Sequence, residues 1–474
     1  MSAERRPRPD LGHRRRVHVI GVGGSGMSAI ATVLVAMGHR VSGSDASDSP
    51  VLRRLSDLGA TVVVGSDPAV LADAEVVVRS TAVPDTDVEV VAARGLGLTV
   101  WRRADVLAAI CAERRTIAVS GTHGKTTTSS MLAVALQELG WHPSMIIGGE
   151  ISGFGPGARW DDAGEWFVVE ADESDGTFLE LGAEAAVVTS VEADHLEFYG
   201  GMDGLVGAFE EFVAGPAGPV VVCADDPGAA RLASPRGAGP ILTYGTDPGA
   251  DVVIGDVGLD RRGARFEVRA GPRLGSYRGP VELSVPGLHN VRNATAALTL
   301  AVALGAAWPD AVAGVGRYQG VGRRFESRGE RSGVSFVDGY DHLPSEVAAA
   351  IATARSGGWR RVVAVFQPHR YSRTEALWRD FADSFVGADE VVITGIYSAG
   401  EPARPGITGR LIADAVTAAH PEARVSYVED LTAAADLLMA TLREGDVCLT
   451  LGAGDITTLP ARLIERFDSG RAGR

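Results

Sequence analysis

The chain has 474 residues and a formal net charge of −15, with 45% hydrophobic and 22% charged residues. A length beyond ~250–300 residues implies more than one domain, and the acidic balance argues against nucleic acid as the partner, since a phosphate backbone calls for a basic face. No apolar run approaches the ~18–20 residues that span a bilayer, so no membrane insertion is expected. Three widely spaced cysteines, Cys111, Cys223 and Cys448, suit neither a disulfide framework nor a thiolate metal site; they read as core residues of a cytoplasmic protein in a reducing compartment.

The first segment, MSAERRPRPDLGHRRR, is basic and leads into a strand and not an apolar h-region. Residues 1–15 therefore read as a disordered tail, not a signal peptide. Short β-branched runs then alternate with Ala/Leu-rich stretches of helical period, the pattern of parallel α/β sheets. Residues 16–113 carry strands near 17–23, 40–45, 60–65 and 75–80. The first of them runs into G-V-G-G-S-G, where Gly21, Gly23 and Gly26 fit G-x-G-x-x-G ahead of a helix. With Gly24, Ser25 and Met27 they form a candidate phosphate cradle, and Asp45 ends the next strand, where an acid can meet a ribose. A tight βα turn without a ligand accounts for the same glycines. The block is short for the two halves of a dinucleotide site, so a single nucleotide diphosphate fits better than a nicotinamide cofactor.

Residues 114–325 open with the strand TIAVSG and the loop Gly121-Thr122-His123-Gly124-Lys125-Thr126-Thr127. The loop is one residue shorter than the usual G-x4-G-K-[ST] but sits in the same strand–loop–helix context. Backbone N–H groups would cradle the phosphates of ATP, Lys125 would act as a compact charge on them, and the Thr126 hydroxyl would ligate Mg²⁺. Lys125 is the one lysine of the chain, beside 44 arginines. A merely exposed lysine has no reason to escape that bias, whereas a guanidinium is too large and planar for such a loop. Two later strands end in acids: EWFVV in Glu170-Ala-Asp172-Glu173-Ser-Asp175, and AAVVTS in Val-Glu192-Ala-Asp194-His195. Taken singly these are ordinary solvated loops; as a pair beside a phosphate loop they read as metal support. Between about 241 and 285 the runs DVVIGDV, ARFEVRA and GPVELSV form a small antiparallel meander, and the helix NVRNATAALTLAVALG follows. Residues 326–474 return to the α/β pattern, with strands in GVSFVDGY, RRVVAVFQ, EVVITGIY, ARVSYVED and DVCLTLGAGD. Arg370 and Arg373, in QPHRYSRT, suit bidentate capture of a carboxylate or, more plainly, open a solvated helix.

Taken together, HVIGVGGSGMS, SGTHGKTTT, VEADESDGTFL, VEADHLEFY, PGLHNVRNATAAL, GVGRRFE, FQPHRYSRT and LTLGAGDIT resemble, in order and wording, the Mur ligases of peptidoglycan synthesis. The closest likeness is to the branch that joins L-alanine to UDP-N-acetylmuramate. The resemblance implies three domains: an N-terminal Rossmann-like one for the UDP-sugar, a central P-loop-type ATPase with a small antiparallel subsheet, and a C-terminal Rossmann-like one for the amino acid. It implies that Glu170 and His195 hold Mg²⁺, that His289, Asn290 and Asn293 lie at the adenine, and that Arg324 faces the γ-phosphate. It further implies that Asp338 completes the ATP site, and that Tyr340, His342, Arg370 and Arg373 grip the amino acid and the sugar carboxylate. An acyl-phosphate intermediate follows, which domain closure would shield from water. Some wider relatives place a carbamylated lysine at a second Mg²⁺; with a single lysine this chain has no such device.

Where that branch usually reads D-D-Y-[AG]-H-H-P-T-E, this chain reads Asp338-Gly-Tyr-Asp-His-Leu-Pro-Ser-Glu346. Gly339 replaces an acid, Asp341 a small residue and Leu343 a histidine, and Gly395 stands where an Asp is usual. These departures fall in the amino-acid domain. They leave open a paralogue using another amino acid or a preformed peptide, or a non-catalytic UDP-sugar or ATP sensor. Nothing in the sequence bears on oligomeric state.

Overall fold

A computed structural model describes residues 9–233 and 239–472. Residues 1–8 of the expected tail lie outside the described residues. Of the remainder, Leu11 is buried and the Arg15 N–H donates to His39 Nδ1 at 3.2 Å, so the packed chain begins before residue 16.

Among the described residues the strands form three sheets. The first contains β1 (Arg16–Ile20), β2 (Arg40–Asp45), β3 (Thr61–Val64), β4 (Val76–Arg79) and β5 (Thr99–Arg102), in the all-parallel order β3-β2-β1-β4-β5. β5 was not legible in the sequence: it is a four-residue strand whose Thr-Val-Trp-Arg leads straight into a charged helix start.

The second sheet has ten strands: β6 (Arg115–Ser120), β7 (Ser144–Ile151), β8 (Gly155–Arg159), β9 (Trp166–Glu170), β10 (Ala185–Val188), β11 (Val220–Cys223), β12 (Ile241–Gly245), β13 (Val252–Asp260), β14 (Gly263–Ala270) and β15 (Tyr277–Leu283). Their order is β15-β14-β13-β12-β11-β10-β6-β9-β7-β8. The expected meander is β13 to β15, side by side in chain order. The antiparallel hairpin β7–β8 was not anticipated, because its glycines hide the alternation. Central strands such as β9 and β10 are apolar on both faces and almost wholly buried, as parallel strands covered by helices must be.

The third sheet holds β16 (Glu326–Arg331), β17 (Val334–Gly339), β18 (Arg361–Phe366), β19 (Glu390–Ile393), β20 (Val425–Tyr427) and β21 (Asp446–Leu451), in the order β16-β17-β21-β18-β19-β20. Helices cover both faces, with Val347, Ile351, Phe381 and Ile412 packed on one side and Leu431, Leu438, Leu459 and Leu463 on the other. The polar β16 is antiparallel to β17 and was not legible as a strand.

The chain gathers into two compact units, one of Met1–Gly255, Glu267–Val281 and Arg292–Tyr318, the other of Asp256–Phe266, Glu282–Val291 and Gln319–Arg474. The three cysteines are free and buried, as expected of core residues. No described helix is long and apolar enough to cross a membrane.

In the second unit, Asp446 is fully buried at the start of β21 and accepts from Arg361 Nε at 3.0 Å and Nη2 at 2.6 Å. Removing Asp446 takes the bidentate partner from Arg361 and leaves it only Thr441 O at 2.9 Å and Glu390 Oε2 at 3.6 Å. Asp446→Ala is therefore expected to cost about 3–5 kcal/mol, measured as a drop in the denaturant midpoint; a change below about 1 kcal/mol would mark the pair as no better than a surface one.

Candidate active site

Parallel neighbours deliver their C-terminal loops to one edge of a sheet, which is where α/β sites gather. In the second sheet β6 lies between β10 and β9, with Val119 level with Glu170 and Ser120 level with Val188. The phosphate loop after β6 is thus flanked by the acidic end of β9 on one side and that of β10 on the other. The helix Lys125–Glu138 begins directly behind it, with Gly124 at its N-cap.

Gly121 and Gly124 adopt φ of +133° and +79°. A Cβ at Gly124 would lie 2.6 Å from Asn293 Oδ1, and one at Gly121 would overlap Thr189 Oγ1. The loop is clamped from the β10 side: Thr122 N donates to Ser190 O at 3.0 Å, His123 N donates to Ser190 Oγ at 3.0 Å, and Thr189 Oγ1 donates to His123 O. Asn293 therefore stands against the loop.

Lys125 Nζ donates to Gly121 O at 2.7 Å and to both oxygens of Glu173 at 2.9 Å. Burial opposes its charge, but Glu173, with Asp172 and Glu170, holds its pKa above the ordinary lysine range. Glu173 is itself buried, and burial pushes its carboxyl up against the opposing pull of Lys125. Tyr199 donates its phenol proton to the Glu173 carbonyl. Glu173 was visible in the acidic run but not singled out from it as the partner of Lys125.

Thr126 Oγ1 donates to Glu170 Oε1 at 3.0 Å, and Gly148 N donates to Glu170 Oε2 at 2.8 Å. Thr127 is buried behind them. His195 sits at φ +54° with Nε2 3.3 Å from Asp194 Oδ2, and it lies close enough to Asp172 to help lower that acid's pKa, behind the larger effects of Lys125 and the Ser174 bonds, which together outweigh burial. Among the described residues no group of three or more His, Cys, Asp or Glu is gathered for a metal, so Glu170 and His195 do not form a ready-made cluster.

At the first glycine loop, Gly24 and Ser25 are exposed at the start of the helix Ser25–Ala36. Asp45 Oδ2 accepts from Gly23 N at 2.8 Å and its Oδ1 from Ser47 N at 3.3 Å, so it braces the loop backbone while staying partly exposed. Met27 is buried in the core and is not presented at the cradle. Arg103, which the motif search did not find, lies over the loop: a Cβ at Gly26 would be 3.0 Å from its Nε, and its Nη1 is 3.8 Å from Asp175 Oδ2. Gly21 turns the chain at φ +73°.

In the second unit β17, β21 and β18 are adjacent and parallel, so Tyr340–His342, Gly452–Asp455 and Gln367–Arg373 leave the same edge. Asp338 has no exposed surface. Its oxygens take Thr450 Oγ1 at 2.8 Å, Thr457 Oγ1 at 2.6 Å and Arg323 Nε at 3.3 Å, so it shapes this edge instead of presenting a carboxylate to nucleotide as expected. Arg324 and Arg323 lie 5.4 and 4.9 Å from the Tyr340 ring centre. His342 Nδ1 is 2.9 Å from Tyr340 O and 3.2 Å from Glu346 Oε2; burial, Arg373 and Arg324 lower its pKa against the pull of Glu346. Arg373 Nη1 is 3.1 Å from His369 Nδ1, and burial with Arg373, His342 and Arg370 drops His369 to about 4. Arg370 is exposed, held by its N–H to Tyr397 O at 2.8 Å. One of the sequence departures has a steric cause: a Cβ at Gly395 would be 2.5 Å from Glu429 O. Leu343 is buried. Further back, Asn290 Nδ2 donates to Pro286 O at 2.7 Å and His289 Nδ1 is 3.5 Å from Thr353 Oγ1.

A phosphate loop with acids at both neighbouring strand ends, and a separate α/β edge rich in arginine and histidine, defines an enzyme that brings a nucleotide phosphate to an anionic substrate. Models of three successive Mur ligase domains match the chain: the Mur ligase family catalytic domain over residues 16–115, the Mur ligase middle domain over 119–301, and the Mur ligase glutamate ligase domain over 323–454. The chain is 45% identical to a UDP-N-acetylmuramate–L-alanine ligase of Solidesulfovibrio magneticus, over 95% of its length and 98% of the relative's. It is 48% identical to one of Kineococcus radiotolerans, over 94% of both. The fold matches the crystal structure of UDP-N-acetylmuramate-alanine ligase from Thermotoga maritima with a TM-score of 0.81 at 28% identity, covering 96% of this chain and all of that one. The chain belongs to the Mur ligase family.

Lys125→Arg keeps the charge but cannot fit an ammonium-sized space between Gly121 O and Glu173. It is expected to lower ATP turnover on the order of a hundredfold or more, measured as phosphate release under saturating substrates; near-normal turnover would contradict the compact-charge requirement. Gly124→Ala, strained by its positive φ and driven into Asn293, is expected to abolish nucleotide binding in a fluorescence titration, and unchanged binding would show that the loop can relax.

Proposed function

We propose that the protein couples cleavage of ATP to formation of an amide bond between L-alanine and the lactyl carboxylate of UDP-N-acetylmuramate. The observation that carries this reading is the match to relatives of that name along almost the whole chain, through all three domains. A carboxylate oxygen attacks the γ-phosphorus, ADP leaves, and an acyl phosphate forms. The free amine then attacks the acyl carbon, the carbon–oxygen bond to phosphate breaks, and the nitrogen loses a proton. Both reactants of the first step are anions, so cations must offset their repulsion. Lys125 supplies one at the loop, and Arg324 is the candidate for another.

Thr126 and Glu170 fit Mg²⁺: two oxygen donors meet at 3.0 Å beside the loop, and this cation takes one or two carboxylates while keeping several waters. Bound there it would supply positive charge to the phosphates, with His195 a further ligand position. The phosphate-loop residues Gly121 to Thr127 and Asn293 would hold ATP, with His289 and Asn290 toward the base; the loop Gly21 to Gly26, with Arg103, would hold the UDP diphosphate; Tyr340, His342, Arg370 and Arg373 would hold the amino acid and the sugar carboxylate. Attack by the amine is the branch point for a second reading, in which another amino acid or a preformed peptide is the nucleophile; the departures at Gly339, Asp341 and Leu343 keep it open.

Phosphate release from ATP is expected to require UDP-N-acetylmuramate and to be greatest with L-alanine in a panel of amino acids and short peptides. Greatest release with a different amine would replace L-alanine in this reading, and no amine-dependent release with any acceptor would overturn the ligase assignment in favour of a sensor.

A further inference from the structure

Gly339 ends β17 and is buried. A Cβ at this position would overlap Asp341 Oδ2 and come within 3.2 Å of Leu451 Cδ2. The Asp341 side chain thus turns back over the end of its own strand and occupies the volume that a side chain at 339 would need. The two positions share one space, which has room for one carboxylate. The changes at 339 and 341 are therefore coupled in three dimensions: the Asp341 carboxylate stands where a side chain at 339 would begin, so the acid at 341 requires the glycine at 339.

The surroundings of that carboxylate call for a cation. Burial, with Glu346 and Asp338 nearby, pushes Asp341 up to about 7, opposed by Arg324. The same edge is basic on its far side. Arg373 and Arg370 act on His369, and Arg373 acts on His342, while the His342 and His369 rings lie 6.0 Å apart between the two ends. An edge with a carboxylate at one end and two guanidinium groups at the other, bridged by imidazoles whose pKa values are lowered, is complementary to a free amino acid, which carries an ammonium and a carboxylate on one carbon.

We propose that Asp341, seated in the space left by Gly339, is the residue that holds the ammonium of the incoming amino acid. The inference rests on the amide-ligase reading and adds the specificity-determining group for its amine.

The test is steady-state kinetics on the full-length protein, with Asp341→Asn as an isosteric variant without charge. Loss of one charge-assisted hydrogen bond is expected to raise KM for L-alanine roughly 10- to 100-fold, with KM for ATP and for UDP-N-acetylmuramate little changed. With hydroxylamine as nucleophile, uncharged at neutral pH, the variant should lose far less. Gly339→Asp alone should impair amine use, because two carboxylates then compete for one space, and Gly339→Asp combined with Asp341→Gly should restore it. An unchanged KM for L-alanine in Asp341→Asn, equal losses with both nucleophiles, or a double variant no better than Gly339→Asp would overturn the inference. Absence of amine-dependent phosphate release in the unmodified protein would instead overturn the ligase reading beneath it.

Discussion

One ammonium group organises the first unit. Lys125 is gripped by the carbonyl of Gly121 and by both oxygens of Glu173, and it is a compact charge where the rest of the chain uses arginine. That grip depends on the sheet. Only because β9 and β10 flank β6 in parallel do Glu170, Asp172 and Glu173 on one side, and Thr189, Ser190 and Glu192 on the other, converge on a loop barely seven residues long. The glycine at 121 follows from the same convergence, since the residues after β10 leave no room for a Cβ, while at 124 the helix residue Asn293 takes that room. A positive centre surrounded by carboxylates also has a chemical consequence. Phosphates bound at this loop, as proposed, would have to take over the ammonium from Glu173, so the acids that keep Lys125 charged would also be those its ligand displaces.

The second unit solves a different electrostatic problem with the same architecture. Adjacent strand ends at β17, β21 and β18 present arginines, histidines and one unusually placed aspartate. Asp338, bound by two threonines and Arg323, fixes the backbone from which Tyr340, Asp341 and His342 project. Carboxylates thus play two roles on this edge: Asp338 is saturated and structural, and Asp341, between Glu346 and Arg324, is the one proposed to meet an ammonium.

Much of this was legible in the sequence, for identifiable reasons. The central strands are continuous apolar runs, and the phosphate loop and its two acidic neighbours are local patterns whose convergence follows from parallel pairing. What was missed depends on long-range packing. The strand Thr99–Arg102 is too short to show a period, the hairpin Ser144–Arg159 is interrupted by glycine, and Glu326–Arg331 is a polar edge. Within the site, Asp338 looks like a ligand-facing acid in one dimension; the hydroxyl and guanidinium groups that saturate it come from elsewhere in the fold. Arg103, and the pairing of Glu173 with Lys125, become visible only once the helix after β5 and the loop after β9 are seen to reach the two glycine loops. The overlap of Gly339 with Asp341 is the clearest case, because two substitutions that look independent in sequence prove to compete for one volume.

The central claim is that the acceptor carboxylate itself takes the γ-phosphoryl group before the amine attacks. The most direct measurement uses UDP-N-acetylmuramate labelled with ¹⁸O in its lactyl carboxylate, with ATP and L-alanine. One labelled oxygen per turnover should appear in the inorganic phosphate, because the carbon–oxygen bond of the acyl phosphate breaks when the amide forms. Phosphate released without label would contradict the account.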